Sequence, residues 1–112
     1  MHQLIFSSQC KQILAHMSQE QQMQLMDVLG AFDFTKTDHY GKIVRGSKVY
    51  YRLRWEGFRI YFESGLDSAF HIHYLLPKHT WNDFLFRSKL PFDEEMVEKD
   101  NRFWQYLESL KK

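Results

Sequence analysis

The chain has 112 residues, enough for one compact domain whose core needs no disulfide bonds. Hydrophobic residues make up 44% of the sequence and aromatic residues 17%, which excludes intrinsic disorder as its general state. The formal net charge is only +1, so the chain is not basic throughout, although arginines are concentrated in residues 52–59 and acids in residues 93–100.

A single cysteine, Cys10, excludes an internal disulfide framework and is typical of proteins in a reducing compartment. The apolar run at residues 4–6 is too short for a signal peptide, and no segment reaches the length of a membrane span. We therefore expect a cytoplasmic protein without a membrane partner.

Residues 1–32 predict a short strand, residues 1–6, and two amphipathic helices. Ser7 or Ser8 can cap the first helix, and Ser18 opens the second with the capping-box pattern Ser18-x-x-Gln21. We expect the apolar faces to cover a sheet rather than to bind a partner, because such periodicity usually marks burial. These faces contain Cys10, Ile13, Leu14 and Met17 in the first helix and Gln22, Leu25, Met26, Leu29 and Phe32 in the second.

Residues 48–63 (KVYYRLRWEGFRIYFE) predict a β-hairpin with a two-residue turn at Glu56-Gly57, since Gly tolerates the positive φ that such turns need. This turn pairs Arg54 with Arg59. Side chains alternate across a strand, so one face of the hairpin is apolar and the other carries cations and phenols. Like charges opposite each other destabilise a sheet, so the arginine pair suggests an anionic ligand such as a phosphate. The polar face comprises Lys48, Tyr50, Arg52, Arg54, Arg59 and Tyr61.

One more strand and two helices are predicted after the hairpin, while residues 43–44 read as a lead-in to it. The strand, residues 70–76, ends at Pro77, and a helix over residues 78–89 follows with Thr80 as its N-cap. Pro91 separates it from a last helix that begins with the acids 93–95. By alternation the strand places Phe70, Ile72, Tyr74 and Leu76 on one side and His71, His73 and Leu75 on the other.

The predicted element order is β-α-α-β-β-β-α with an extra C-terminal helix, which indicates an α+β domain. We expect a small, mostly antiparallel sheet that packs on the N-terminal helical hairpin through one face. The other face forms a basic groove.

This order and the hairpin sequence together resemble the RelE/ParE superfamily of bacterial toxin–antitoxin toxins. The specific similarity lies in residues 46–63, where YRLR, a turn and FRIYF are similar to the family's YRLR–turn–YRI core. A weaker similarity lies in residues 72–79 (IHYLLPKH), where the family has its last strand and a basic or histidine-containing turn. The resemblance covers residues 1–90 as a RelE-like toxin domain and leaves residues 91–112 as a C-terminal helical extension packed on the same domain.

The resemblance implies the toxin component of a type II toxin–antitoxin system. RelE-type members are ribosome-associated mRNA endonucleases (mRNA interferases), which cleave RNA by 2′-OH attack on the phosphate and repress translation. ParE-type members act on DNA gyrase, and a cognate antitoxin inhibits both kinds. We therefore expect a metal-independent endoribonuclease without a cofactor, whose partners are an antitoxin, the ribosome and mRNA. A non-catalytic ParE-like gyrase inhibitor and a non-toxic RelE-fold binding protein are the alternatives.

The polar residues suit RNA, because guanidinium groups bind phosphate oxygens in pairs and aromatic rings stack on unpaired bases. By resemblance, Arg59 matches a phosphate-contacting catalytic arginine, and His79 lies where nuclease members carry an arginine or histidine. The terminal tyrosine that many RelE-like nucleases use has no counterpart, which favours the alternatives. A metal site at His71, His73 and His79 is a weak further alternative, because no carboxylate pattern flanks them. The predicted catalytic residues are Arg54, Arg59, Tyr61 and His79, and the predicted RNA-binding residues are Lys48, Tyr50, Arg52, His73, Lys78 and Trp81.

Overall fold

The structure, a computed structural model, describes residues 2–36, 40–65, 67–88 and 94–110, which form an α+β fold with a five-stranded mixed sheet and five helices. The elements are β1 Gln3–Phe6, α1 Ser8–Leu14, α2 Gln19–Gly30, β2 Tyr40–Arg45, β3 Lys48–Trp55, β4 Phe58–Ser64, β5 Ala69–Leu76, α3 Lys78–Ser88, α4 Glu94–Lys99 and α5 Asn101–Ser109. The strand order is β1-β5-β4-β3-β2, with β1 parallel to β5 and the other pairs antiparallel. No helix in these described ranges is long and apolar enough to cross a membrane.

The two N-terminal helices form as predicted, and each begins at a serine cap. Ser7 Oγ accepts the backbone N–H of Cys10 at 3.3 Å, and Ser18 forms a capping box with Gln21. Their apolar faces cover one side of the sheet, although Met26 of the predicted stripe is 41% exposed. The buried residues of this N-terminal core are Cys10, Leu14, Met17, Leu25, Leu29, Phe32, Leu53, Ile60, Phe62, Phe70, Ile72 and Leu75.

The hairpin β3–β4 has the predicted turn and the predicted register. Arg54 lies opposite Arg59, and Arg52 lies opposite Tyr61. The two turn residues, 56 and 57, have φ of 50° and 82°, the positive values found in type I′ turns, whose twist matches that of the strands. A turn of two residues fixes the register because each residue of β3 then has only one possible partner in β4.

Residues 40–45 form a complete strand, β2, where the sequence predicted only a lead-in. β2 pairs antiparallel with β3 across a turn at Gly46-Ser47, and Gly46 takes a φ of 62° there. Only Ile43 of this strand is fully buried, so its sequence carries little of the apolar alternation that predicts a strand. It forms because the edge of β3 offers it a complete row of backbone partners.

A β-bulge in β5 makes the predicted alternation of that strand wrong. Tyr61 lies opposite Tyr74, but the next pair is Phe62 with Ile72, so His73 is an extra residue on β5. An extra residue reverses the faces of everything beyond it. Phe70 and Ile72 therefore face the N-terminal core together with Leu75, whereas Tyr74 and Leu76 face the other side of the sheet.

That other side is covered by helices, so the predicted open basic groove is wrong for most of the face. α3, α4 and α5 pack on it and form a second core with the tyrosines of the sheet. Tyr61 has no exposed surface at all. The buried residues of this C-terminal core are Ile43, Tyr50, Tyr61, Tyr74, Leu76, Trp81, Phe84, Val97, Phe103, Trp104 and Leu107.

The C-terminal segment contains two helices rather than the predicted one. Asp100 ends α4 and caps α5, since its side chain accepts the backbone N–H of Arg102 at 2.9 Å. The indole N–H of Trp104 donates to the Glu98 carbonyl oxygen at 2.7 Å and ties α5 to the last turn of α4. Residues 89–93, which include Pro91 and the predicted start of the last helix, lie outside the described residues.

The start of α3 also differs from the prediction, because Thr80 lies inside the first turn instead of capping it. The carbonyl oxygen of Pro77 accepts the backbone N–H groups of Thr80 and Trp81 at 3.0 and 3.4 Å. The helix therefore begins directly after Pro77, which brings Lys78 and His79 onto it.

Candidate functional site

An exposed cationic depression lies beside the β3–β4 turn, and we call it the hairpin-tip site. Arg54 and Arg59, directly opposite each other on the two strands, line it together with Lys78 from the first turn of α3. Its volume is about 290 Å³. The remaining lining residues are Trp55, Glu56, Gly57 and Phe58.

Arg59 is held in place by an aromatic ring. Its guanidinium carbon lies 4.5 Å from the centre of the Trp81 ring, and Trp81 itself is buried against Phe103. This cation–π contact helps to position the Arg59 guanidinium. Burial lowers the pKa of Arg59, and Arg54 and Arg52 lower it further, while Tyr61 and Glu98 act in the opposite direction. An arginine remains a cation under these conditions, and its partial burial strengthens the attraction for an anion.

A second polar cluster lies in the middle of the same sheet face, where Glu98 of α4 meets Arg52 and Tyr61. Glu98 Oε1 accepts from Arg52 Nη1 at 2.9 Å, and Glu98 Oε2 accepts from the Tyr61 hydroxyl at 2.7 Å. The side chains of Arg52 and Glu98 are only 12% and 3% exposed. Gly41 leaves room for the guanidinium, since a Cβ there would lie 2.7 Å from Arg52 Cζ.

Burial controls the protonation of this Arg52–Glu98–Tyr61 cluster. It raises the pKa of Glu98, while the hydrogen bond from Tyr61 and the charge of Arg52 lower it in part. Burial also raises the pKa of Tyr61 well above its usual value, and the negative charge of Glu98 adds to that effect. The Tyr61 hydroxyl therefore stays protonated and bonded to Glu98 in this arrangement, and its catalytic role stays a prediction.

The predicted base-stacking rings are also used for packing. Tyr50 is buried with its ring 4.9 Å from that of Trp104, and Trp81 is buried under Arg59. Neither ring faces solvent in this arrangement, and their contact with RNA stays a prediction. His73 is half-buried, and its Nε2 lies 2.8 Å from Glu63 Oε1.

The structure brings together only part of the predicted site. Arg54, Arg59 and Lys78 meet at the hairpin-tip site, and His79 is exposed one residue further along α3. Lys48 lies at the far end of β3 beside a second depression of about 420 Å³, which Lys99 also lines. Among the residues described, no group of three or more His, Cys, Asp or Glu side chains is placed to hold a metal ion.

Sequence reasoning missed Glu98, and it placed Trp104 only within a C-terminal helical extension packed on the domain. Trp104 contacts Arg45, whose guanidinium carbon lies 4.6 Å from its ring centre, as well as Tyr50. The signal was available in the spacing of Phe103, Trp104 and Leu107, which predicts a buried helix face. The N-terminal helices already covered one face of the sheet, so that helix face had to lie on the polar one.

No family model, curated protein or solved structure matches the chain at a significant level. The class that the structure itself defines is a small α+β protein with a five-stranded mixed sheet between two helical layers.

Proposed function

We propose that this protein is a RelE-like toxin that binds single-stranded RNA at the hairpin-tip site and cleaves mRNA on the ribosome. The observation that carries the proposal is the direct pairing of Arg54 with Arg59 at an exposed depression that Lys78 also lines. Two neighbouring guanidinium groups can each bind phosphate oxygens in pairs, and Lys78 adds a third cation at the same depression. The resemblance of the hairpin sequence to RelE/ParE toxins supplies RNA as the substrate class.

The proposed reaction is a transesterification within the RNA. The 2′-oxygen bonds to phosphorus, the bond from phosphorus to the 5′-oxygen breaks, and a 2′,3′-cyclic phosphate and a 5′-hydroxyl result. Arg54 and Arg59 hold the phosphate, and Lys78 stabilises the charge on the phosphorane. The 2′-OH releases its proton to water, and the protonated imidazole of His79 donates one to the departing 5′-oxygen.

A non-catalytic binding protein, such as a ParE-like inhibitor of gyrase, is the second candidate. The burial of Tyr50, Tyr61 and Trp81 favours it, because three residues predicted to contact the substrate serve the C-terminal core instead. Such a protein requires a binding surface but no proton transfer, so His79 has no catalytic role in it.

Induced expression of the wild type and of the variants Arg54→Ala, Arg59→Ala and His79→Ala tests the proposal. We expect the wild type to stop growth and translation and to leave mRNA fragments with 5′-hydroxyl ends, and we expect a cognate antitoxin to restore growth. Arg54→Ala and Arg59→Ala should abolish these effects. His79→Ala should retain RNA binding and slow cleavage about 100-fold or more, the usual contribution of a general acid.

Arg87→Ala is the matched control, since Arg87 is an exposed arginine of α3 that pairs with Asp83 on the helix surface. It should remain as toxic as the wild type. Toxicity with normal translation but lost DNA supercoiling would instead establish the gyrase alternative. Normal growth on expression of the wild type would exclude the toxin function altogether.

A further inference from the structure

Glu98 fills a place on the sheet that is built to hold an anion. Its two carboxylate oxygens take one donor each, the guanidinium of Arg52 at 2.9 Å and the hydroxyl of Tyr61 at 2.7 Å. Two oxygens of a phosphodiester present acceptors of the same kind to such a pair of donors. Arg52 and Tyr61 therefore have the chemistry of a phosphate site, which the chain's own carboxylate occupies.

This place continues the cationic row of the hairpin-tip site. Arg52 and Arg54 lie two residues apart on β3, so they share a face at a separation of about 7 Å. The spacing is comparable with that of successive phosphates in an extended single strand. An RNA held at Arg54 and Arg59 therefore has its next phosphate within reach of Arg52, and Lys48 prolongs the row on the same face of β3.

α4, which carries Glu98, is the shortest helix on this face. It has six residues, of which only Val97 and Glu98 are buried among those whose side chains are described. The desolvation of a buried ion pair offsets much of its attraction, so the pairing of Arg52 with Glu98 holds α4 less strongly than its 2.9 Å distance alone suggests. α5 buries three side chains, Phe103, Trp104 and Leu107.

We propose that α4 is a built-in closing element, in which Glu98 occupies a phosphodiester site of Arg52 and Tyr61 until single-stranded RNA displaces it. The inference rests on the proposed function, since the ligand class is taken from there. In the closed arrangement the hairpin-tip site is open, whereas the Arg52 side chain is only 12% exposed and its Nη1 is bonded to Glu98. Docking of α4 and full engagement of the RNA backbone are therefore mutually exclusive.

Affinity for an uncleavable probe tests this competition. The probe is a single-stranded 2′-O-methyl RNA of twelve nucleotides, and binding is followed by fluorescence anisotropy. Glu98→Gln weakens the hold of α4 on Arg52 and should tighten binding about tenfold or more, the usual effect of one charge-assisted hydrogen bond. Glu108→Gln, which changes the net charge equally at an exposed position of α5, should alter it less than about twofold.

A double variant shows whether the tenfold gain in affinity for the probe acts through Arg52. Adding Arg52→Ala to Glu98→Gln should remove the tenfold gain, because the site that Glu98 vacates then lacks its cation. A gain that persists without Arg52 would overturn the proposal, and so would equal affinities for Glu98→Gln and Glu108→Gln.

Hydrogen exchange on the wild type tests the displacement without any substitution. Addition of the probe should lower the protection of backbone amides in α4 while it raises protection in β3 and β4. Binding of the probe with unchanged protection in α4 would overturn the closing role but leave the proposed function intact. Failure of the wild type and Glu98→Gln to bind the probe at all would overturn both.

Discussion

Replacing Glu98 with alanine gives the sharpest test of how the C-terminal helices are attached. Glu98 is the only fully buried acid among the described residues, and it joins α4 to the centre of the sheet. Its removal leaves the Arg52 guanidinium and the Tyr61 hydroxyl under α4 without the carboxylate that both contact. The variant therefore tests burial, charge and hydrogen bonding at one position.

The expected cost follows from the burial of the two partners. Loss of one member of a buried ion pair costs about 3–5 kcal/mol, because the remaining charge is no longer compensated. Loss of the acceptor for Tyr61 costs about 1–3 kcal/mol. The two losses share one carboxylate and do not add, so we expect about 3–5 kcal/mol in total. Glu98→Gln keeps an oxygen acceptor in place and should cost only about 1–2 kcal/mol.

The measurement is the free energy of unfolding from urea denaturation, with Glu108→Ala as the exposed control. The control should stay within about 0.5 kcal/mol of the wild type. In a domain of this size, each kcal/mol lowers the Tm by about 4 °C, so Glu98→Ala should melt more than about 10 °C below the wild type. If Glu98→Ala matched Glu108→Ala, α4 would not be docked on Arg52 and Tyr61, and the reasoning would be refuted.

Two further predictions concern protonation and helix capping. Because burial raises the pKa of Glu98 in the folded protein, the native state binds this proton more tightly than the unfolded chain, and the resulting stability is lost as the pH rises above 4.5. The free energy of unfolding of the wild type relative to Glu98→Gln should therefore fall between pH 4.5 and neutrality, and a rise would contradict the direction of the shift. Ser18→Ala removes the capping box of α2 and should cost about 1 kcal/mol in urea denaturation. Gln24→Ala, an exposed change in the middle of the same helix, is its control, and equal stabilities would exclude the cap as a contributor.

The candidate site was predictable as far as it depends on the hairpin. The turn at residues 56–57 sets the register, and the register alone places Arg54 opposite Arg59. Lys78 follows the strand that pairs with β4, so the element order alone predicts that it lies at the same end of the sheet. That these residues bind RNA stays a prediction.

The environment of the remaining site residues was not predictable from local pattern. Tyr50 and Tyr61 share the polar face by alternation, but alternation does not say what covers that face. Their burial depends on helices more than forty residues away from Tyr50 in the sequence, which dock because Phe103, Trp104 and Leu107 need an apolar surface.

The sequence by itself determined the caps of the two N-terminal helices, the hairpin register and the N-terminal core, because each depends on neighbouring residues or on a periodicity within one element. Only the tertiary structure decided the β-bulge at His73, the completion of β2 and the covering of the polar face. These features depend on contacts between segments that are distant in the sequence. Such contacts are favourable because they bury apolar surface, and the pattern within one element does not show which surfaces meet. The consequence is largest at Arg52: its strand places it in a cationic row, and the packing of α4 places a carboxylate on it.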